Sequence, residues 1–232
     1  MPHAVVGHWN DGRETEFESF KQKVDDAGFV AAMIAEIEKK HRIDPKRIFA
    51  FGNSNGAICS HYIAALMSEK IAAIAPVCGG MPDPFHKHFK PKEPVSVLVI
   101  QGTKDPMLPY EGGQCGPKNL NRGRVLGADK TVQMWVEHNA CGKDPAKEVL
   151  PDKDPKDGCT ATRFTWSKGR NGTEVVLYKI DGGGHRWPGG NYPQVLPPSL
   201  AKPEILARLG AQCDDFDASE VIWEFFKRHP KP

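Results

Sequence analysis

A serine flanked by glycines is the pattern in this sequence that most directly suggests covalent chemistry. Ser54 lies in Gly52-Asn53-Ser54-Asn55-Gly56, between an apolar run and a stretch of helical spacing. A sharp turn from strand to helix lifts a serine hydroxyl clear of a sheet and needs small neighbours on both sides. The helix that follows directs backbone N–H groups at the same point, where they favour a developing negative charge. The pattern predicts Ser54 as a nucleophile and the Asn55 N–H as an oxyanion donor; an ordinary glycine-rich turn is the alternative.

A serine hydroxyl is a poor nucleophile unless a base lies within hydrogen-bond distance. His185 is the best candidate among nine histidines, because it ends a predicted strand, follows three glycines and precedes Trp187-Pro188-Gly189-Gly190. Glycines at that point let the backbone turn sharply and bring the imidazole to the rim of a sheet. His61 lies one or two turns into the helix after Ser54 and is expected to pack rather than react. Surface positions are expected for His3, His41, His86, His88 and His229.

A carboxylate is needed to orient the imidazole and to stabilise it once it is protonated. Asp105 follows the apolar run Val95–Ile100 directly, so it is expected at the same carboxyl edge of the sheet as Ser54. Asp181 is the competitor, but it lies only four residues before His185 on the same strand end and would struggle to reach Nδ1. The order Ser, Asp, His along the chain is that of α/β-hydrolases.

Helix and strand patterns alternate in the first half of the chain. Apolar residues at helical spacing predict helices, and runs that are apolar throughout predict strands buried on both faces of a parallel sheet. The fold class expected is therefore α/β, α/β-hydrolase-like, a mainly parallel sheet with helices on both faces. The predicted helices are Asp26–His41 and Ala57–Met67, and the predicted strands are Arg47–Phe51, Ile71–Val77 and Val95–Ile100.

The second half of the chain continues the same domain, so residues 1–232 are expected to form one catalytic domain. Helices are predicted over Thr131–Asn139 and Ala218–Phe226, and Thr160–Ser167 and Thr173–Ile180 are predicted as an antiparallel pair. Residues 144–157 are polar enough to predict an exposed loop, and a long proline-rich loop is expected after Gly190.

The composition excludes several classes of protein. The 232 residues are 39% hydrophobic and 26% charged, and the 31 basic and 29 acidic side chains are spread along the chain. No apolar run approaches the roughly 18 residues that cross a membrane, and no basic cluster points to nucleic acid. The sequence also lacks a P-loop, a dinucleotide fingerprint and a His-Glu-x-x-His metal motif, so neither a cofactor nor a metal is expected.

The sequence does not determine whether its six cysteines form disulfides or remain free thiols. None is spaced as Cys-x-x-Cys, which disfavours a zinc ribbon or a thioredoxin-type site. Cys141 and Cys159 flank a polar loop and are placed to form a disulfide in an oxidising compartment. The sequence does not choose among the other pairings, and free buried thiols are the alternative for Cys59 and Cys78.

Several segments together resemble the polyhydroxybutyrate depolymerase and feruloyl esterase family of α/β-hydrolases. The resemblance implies Ser54 as nucleophile, Asp105 as the orienting carboxylate and His185 as general base, with Trp187 either lining the substrate cleft or packing. It implies a small-molecule or polymeric ester as substrate, no cofactor, and a secreted or periplasmic location, although no signal peptide is visible in this chain. The segments are Trp9–Gly12, Asp25–Phe29, Gly52–Gly56, Ile71–Val77, Gly102–Gly113 and Gly182–Gly190.

The sequence departs from that family at its start. The His-Gly-rich loop that donates a second oxyanion N–H in the family has no counterpart here, so the chain is expected to be N-terminally shortened. Loss of such a donor costs about 10²–10³ in rate. The alternative function is therefore a non-catalytic or truncated binding fragment that needs another segment or chain. A shortened sheet also exposes an unpaired edge, which favours a homodimer.

Overall fold

The computed structural model describes residues 7–189 and 202–232, and Gly190 with most of the predicted proline-rich loop lies outside these ranges. The helices are α1 (Glu18–Lys21), α2 (Asp26–Lys40), α3 (Asn55–Leu66), α4 (Asp83–His86), α5 (Ala128–Asn139), α6 (Pro203–Arg208) and α7 (Ala218–Arg228). The strands are β1 (Phe49–Asn53), β2 (Ala73–Val77), β3 (Ser96–Gly102), β4 (Gly112–Gln114), β5 (Arg124–Leu126), β6 (Ala146–Val149), β7 (Thr160–Trp166) and β8 (Val175–Asp181).

One six-stranded sheet organises these elements. Its order is β1-β2-β3-β8-β7-β6, in which the first four strands run parallel to one another. β7 and β6 are added antiparallel beyond β8, and β4 and β5 form a separate hairpin. Since parallel strands share a carboxyl edge, the residues that follow β1, β3 and β8 meet on the same side of the sheet.

Helices cover both faces of the sheet. One face packs against α2, α3 and α5, with Ile34, Ile63 and Trp135 buried among strand residues. The other packs against α7 through Ile222 and Phe225. β2 and β3 are buried at every position, which explains why apolar residues predominate in both strands. The expected fold class, α/β with a mainly parallel sheet between two helical layers, is confirmed.

Carboxylate side chains cap the first turns of α2 and α7. The Asp25 side chain accepts a hydrogen bond from the Gly28 N–H at the start of α2. Asp217 accepts from the N–H groups of Ser219 and Glu220 at the start of α7. Such caps satisfy backbone donors that have no partner inside the helix, and each stabilises it by about 1 kcal/mol.

Three expectations about the second half of the chain were wrong. Residues 144–157, predicted as an exposed loop, contain β6, a fully exposed strand held by its backbone ladder to β7. The proline-rich stretch, predicted as a loop, ends in the short helix α6. His229, predicted at the surface, is buried against Phe225 and lies beside Glu174.

His61 packs in the core, as its position in the helix predicted. It is fully buried, and its Nδ1 accepts a hydrogen bond of 3.1 Å from Trp135 Nε1. Burial lowers the pKa of His61 to about 3, so the ring is neutral at neutral pH. This histidine therefore joins α3 to α5 and takes no part in acid–base chemistry.

All six cysteines are free thiols in the structure. Cys141, at the end of α5, lies near the Thr173 carbonyl, whereas Cys159 lies near the Asp157 carbonyl. A Cys141–Cys159 disulfide is therefore not formed here. The predicted burial of Cys59 and Cys78 is confirmed, since both are at most 3% exposed.

β1 forms one edge of the sheet. It pairs only with β2 among the described residues, and Phe51 in its middle is 59% exposed. The helices in the described parts of the chain include none that is both long and apolar enough to span a bilayer.

Candidate active site

Ser54 occupies a tight turn between β1 and α3. Its backbone has φ 58° and ψ −120°, a conformation that costs a residue other than glycine about 1–3 kcal/mol. A Cβ at Gly52 would lie 2.5 Å from the Gly56 carbonyl carbon, so only glycine fits at position 52. A Cβ at Gly56 would enter open space. The expected need for small residues on both sides of the serine therefore holds sterically at Gly52 alone.

Hydrogen bonds fix the backbone of this turn. The Ser54 N–H donates to the Val77 carbonyl of β2 at 2.9 Å, and its own carbonyl accepts from Ala57 and Ile58 in the first turn of α3. The Asn55 N–H donates to no other described residue. It lies at the positive end of the helix dipole, where a negative charge is favoured.

His185 and Asp105 are hydrogen-bonded across the same sheet edge. His185 Nδ1 lies 2.8 Å from Asp105 Oδ2, and the two side chains are 8% and 0% exposed. The N–H groups of Met107 and Leu108 donate to Asp105 Oδ1, and Gln101 Nε2 donates to Oδ2. Together with His185, these groups make four hydrogen bonds to one carboxylate and hold it in a single orientation.

The loop after β8 positions His185 through its backbone. The His185 N–H donates to the Leu209 carbonyl at 2.6 Å, and the Gly184 N–H donates to the Ala211 carbonyl at 2.9 Å. A Cβ at Gly184 would lie 2.2 Å from the Leu209 carbonyl oxygen, so the two segments approach this closely only with glycine there. The segment 209–211 therefore fixes the backbone that carries the imidazole.

The structure distinguishes the two candidate carboxylates. Asp181 is exposed and pairs with Lys179 at 3.8 Å, whereas Asp105 contacts His185. Ser54 and His185 both follow carboxyl ends of parallel strands, but no hydrogen bond of 3.5 Å or less joins the Ser54 hydroxyl to His185 in the described structure. Such contacts are commonly long in free enzymes and tighten when substrate binds.

The side chain of Asn55 anchors the segment that precedes α1. Its Oδ1 accepts from the Trp9 N–H at 2.7 Å, and its Nδ2 donates to the Trp9 carbonyl at 3.1 Å. The same Nδ2 donates to Asp11 Oδ2 at 2.5 Å. The residue beside the predicted nucleophile therefore holds residues 9–11 against the turn.

A buried ion pair continues this network. Arg13 binds Asp11 in a bidentate manner, with 2.7 Å between Nη2 and Oδ2, and the side chains are 4% and 2% exposed. Burial acts to lower the pKa of Arg13, but the Asp11 carboxylate outweighs it, and the pKa lies above its usual value. Arg13 Nη1 also donates to the Arg122 carbonyl at 3.0 Å.

A small pocket of about 70 Å³ opens beside the serine. Ser54 and Asn55 form one side of it, and the Met107–Leu108 segment that binds Asp105 forms another. Two larger pockets, of about 530 and 410 Å³, lie elsewhere and include none of the predicted catalytic residues. The remaining residues of the pocket beside Ser54 are His8, Arg13, Phe17, Cys115, Gly116 and Arg122.

Trp187 does not line this pocket. It packs against the core cluster beneath α7, its ring lies edge-on to Phe51 with centroids 6.4 Å apart, and Nε1 donates to Ser219 Oγ at 3.3 Å. Of the two roles considered for Trp187, these contacts correspond to packing.

Cys78 is a third buried group beside the His185–Asp105 pair. Its Sγ, one carboxylate oxygen of Asp105 and one ring nitrogen of His185 lie within 4.8 Å of one another. These atom types bind transition metals, but the hydrogen bond between His185 and Asp105 already occupies two of them. Burial, with the charge of Asp105, raises the pKa of the Cys78 thiol well above its usual value. The protonated thiol lies 3.5 Å from the Arg186 carbonyl and contacts the histidine loop.

Sequence reasoning missed several residues around the site. Gln101 lies between the Val95–Ile100 run and the Gly102–Gly113 segment, and Arg13 directly follows the Trp9–Gly12 segment, so both residues lie beside motifs that the sequence indicates. The Asn55 side chain was overlooked because only its backbone was considered. Arg122 lies in a polar stretch without a motif, and nothing in the sequence indicates its contact with a residue 109 positions away.

Part of the chain matches a known family model. Residues 63–158 match the model Abhydrolase_4, described as TAP-like protein. The match begins within α3, after Ser54, and ends before β7, so it includes Asp105 but not His185.

Three relatives are similar over about 70% of this chain. NocK of Nocardia uniformis subsp. tsuyamanensis is 29% identical over 72% of the chain, and feruloyl esterase B of Piromyces equi is 31% identical over 69%. The bifunctional acetylxylan esterase/xylanase XynS20E of Neocallimastix patriciarum is 26% identical over 71%. The aligned regions are 50%, 29% and 22% of these relatives, so the chain spans half of their length or less.

The buried ion pair generates a stability prediction. Replacing Asp11 by Asn leaves the Arg13 guanidinium buried without its counter-charge, and we expect the free energy of unfolding to fall by about 3–5 kcal/mol. Urea unfolding followed by circular dichroism measures the change. Replacing the neighbouring exposed Glu14 by Gln is the control, with an expected change below about 0.5 kcal/mol.

A double variant separates lost charge from lost packing. Asp11→Leu with Arg13→Met removes both charges, and we expect it to be more stable than Asp11→Asn alone, because no unpaired charge remains. Equal stability of Asp11→Asn and wild type would contradict this interpretation of the pair.

Proposed function

We propose that this protein is a serine carboxylic-ester hydrolase that acts through Ser54, His185 and Asp105. The observation that carries the proposal is the buried 2.8 Å hydrogen bond from His185 to Asp105, at the sheet edge where Ser54 begins α3. A nucleophile at a strained turn, a histidine and an orienting carboxylate are the parts that acyl transfer requires. The esterase names of two relatives support the same reaction class.

In the first step, His185 Nε2 takes the proton from the Ser54 hydroxyl as its oxygen attacks the ester carbonyl carbon. The C–O bond that forms makes a tetrahedral intermediate with a negative oxygen. Asp105 holds Nδ1 and stabilises the imidazolium. Proton return from His185 to the leaving alcohol breaks the ester bond, and water then releases the acid from the acyl-enzyme by the same sequence in reverse.

The oxyanion is held by the Asn55 N–H at the start of α3. One donor of this kind contributes about 3–4 kcal/mol of transition-state stabilisation. A second donor is required for full activity, and the residues that line the pocket beside Ser54 do not identify it. We propose that another segment or another chain supplies it. No metal or organic cofactor takes part in this mechanism.

We propose feruloyl or acetyl esters of plant polysaccharide, or hydroxyalkanoate polyesters, as the substrate class. Support comes from the similarity to a feruloyl esterase and to an acetylxylan esterase/xylanase, and from the sequence segments that resemble polyhydroxybutyrate depolymerases. The sequence resemblance to the polyhydroxybutyrate depolymerase and feruloyl esterase family implies export from the cytoplasm, so we propose a secreted or periplasmic location.

We also propose that two copies associate through β1. Its outer backbone groups have no strand partner among the described residues, and Phe51 presents an exposed aromatic ring beside them. An unpaired apolar edge is a ready template for another strand. No charged side chain within β1 opposes pairing.

Hydrolysis of p-nitrophenyl acetate and butyrate tests the proposed activity. We expect turnover by the wild-type chain, a loss of at least about 10³-fold in kcat for Ser54→Ala, and a loss of about 10²–10⁴-fold for Asp105→Asn, which keeps the shape of the side chain but removes its charge. Ser167→Ala, in the connection between β7 and β8, is the matched serine control and is expected to retain wild-type rates.

Equal rates for wild type and Ser54→Ala, with both proteins folded, would contradict the proposal. That outcome would favour the alternative, a hydrolase-like binding fragment that needs another segment or chain for catalysis.

Light scattering coupled to size-exclusion chromatography tests the association through β1. We expect a dimeric mass for the wild type and a monomeric mass for Phe51→Lys, because a charge on an edge strand blocks pairing. A monomeric mass for the wild type would contradict the proposed dimer and would leave the proposed activity unaffected.

A further inference from the structure

The pocket beside Ser54 is lined by basic side chains without acidic ones. Its lining includes two arginines, Arg13 and Arg122, and no Asp or Glu. Phe17, Met107 and Leu108 contribute apolar side chains to the same lining. Since hydrolysis of a neutral ester does not require a fixed cation at this position, the two guanidinium groups need a separate explanation.

The fold alone accounts for the presence of Arg13 in the pocket lining. Its guanidinium is buried against Asp11, lies 5.8 Å from the centre of the Phe17 ring and donates to the Arg122 carbonyl. The pair is electrically neutral and holds the segment before α1 in place. Arg13 therefore shapes the pocket but contributes little net charge to it.

Arg122 is different, because its side chain has no counter-ion among the described residues. Its backbone is fixed by the contact with Arg13 and by a hydrogen bond from its own N–H to the Leu120 carbonyl. Its side chain makes no hydrogen bond or ion pair with any other described residue. A backbone held in place with an unpaired guanidinium is a preorganised anion site.

The stem of Arg122 is held next to the pocket. Its Cδ lies 2.8 Å from the place that a Cβ would occupy at Gly116, which has φ +66°. The close approach of the stem and the backbone therefore depends on glycine at position 116. The planar fork of a guanidinium matches a carboxylate with two parallel hydrogen bonds, and a charge-assisted bond of this kind is about twice as strong as a neutral one.

We propose that Arg122 selects esters that carry a carboxylate close to the scissile bond. The inference rests on the proposed function and narrows its substrate class to anionic esters. The apolar side chains of the lining would hold the carbon skeleton, while Arg122 pairs with the charge. The carboxylate belongs either to the acid part of the ester or to its alcohol part, and these two sources share the same chemistry at Arg122.

Two matched pairs of substrates distinguish the sources. In the first pair, the mono-p-nitrophenyl ester of adipic acid is compared with p-nitrophenyl hexanoate, and the charged member carries its carboxylate on the acid part. In the second pair, p-acetoxybenzoate is compared with phenyl acetate, and the charged member carries its carboxylate on the alcohol part. The measured quantity is the ratio of kcat/KM for the charged ester to kcat/KM for its neutral partner, which cancels any general loss of activity or folding.

We expect Arg122→Gln to lower this ratio about tenfold in one of the two pairs, and Arg122→Lys to lower it by less, since lysine keeps the charge but loses the fork. Arg124→Gln is the control, because Arg124 is an exposed neighbour paired with Asp83 and lies outside this pocket. Its ratio is expected to equal that of the wild type. Added NaCl is expected to reduce the wild-type preference for the charged ester.

An unchanged ratio in both pairs for Arg122→Gln would overturn the inference. If the wild type hydrolyses the neutral esters in a Ser54-dependent way and shows no effect of Arg122, only the inference fails. If no ester is hydrolysed in a Ser54-dependent way, the proposed function fails and the inference fails with it.

Discussion

The close approach of β1 and α3 at Gly52 is the constraint on which the site depends. A side chain at this position would lie 2.5 Å from the Gly56 carbonyl carbon, so the chain turns from strand to helix only with glycine there. The tight turn forces Ser54 to positive φ and directs the first N–H groups of α3 to the same point as its hydroxyl. The parallel order of β1, β2, β3 and β8 then brings Asp105 and His185 to that edge.

A polar network extends from this turn to the pocket wall. The Asn55 side chain binds Asp11, Asp11 binds Arg13, and Arg13 donates to the Arg122 carbonyl. Each link is a hydrogen bond of 3.0 Å or less, and most of the network is buried, where an unpaired group costs several kcal/mol. The geometry of the pocket is thus coupled to the residue beside the proposed nucleophile.

The elements and site residues that could be predicted are those marked by a local motif or by a periodic pattern of apolar residues in the sequence. β2 and β3 were recognisable because both faces are buried, and Ser54 because its turn needs a glycine two residues earlier. β6 could not be predicted, since an exposed edge strand is held by backbone hydrogen bonds rather than by apolar side chains. The contact of Arg13 with Arg122 joins residues 109 positions apart, which one sequence does not reveal. Gly56 satisfies the motif although nothing in its surroundings requires glycine.

The central claim is that Ser54 is a nucleophile activated by His185. Labelling with a fluorophosphonate, followed by peptide mapping by mass spectrometry, tests it without depending on the choice of ester. We expect one adduct per chain on the peptide that contains Ser54, no adduct in Ser54→Ala, and strongly slowed labelling in His185→Ala. Absence of an adduct on the folded wild-type chain, or equal labelling rates in wild type and His185→Ala, would contradict it.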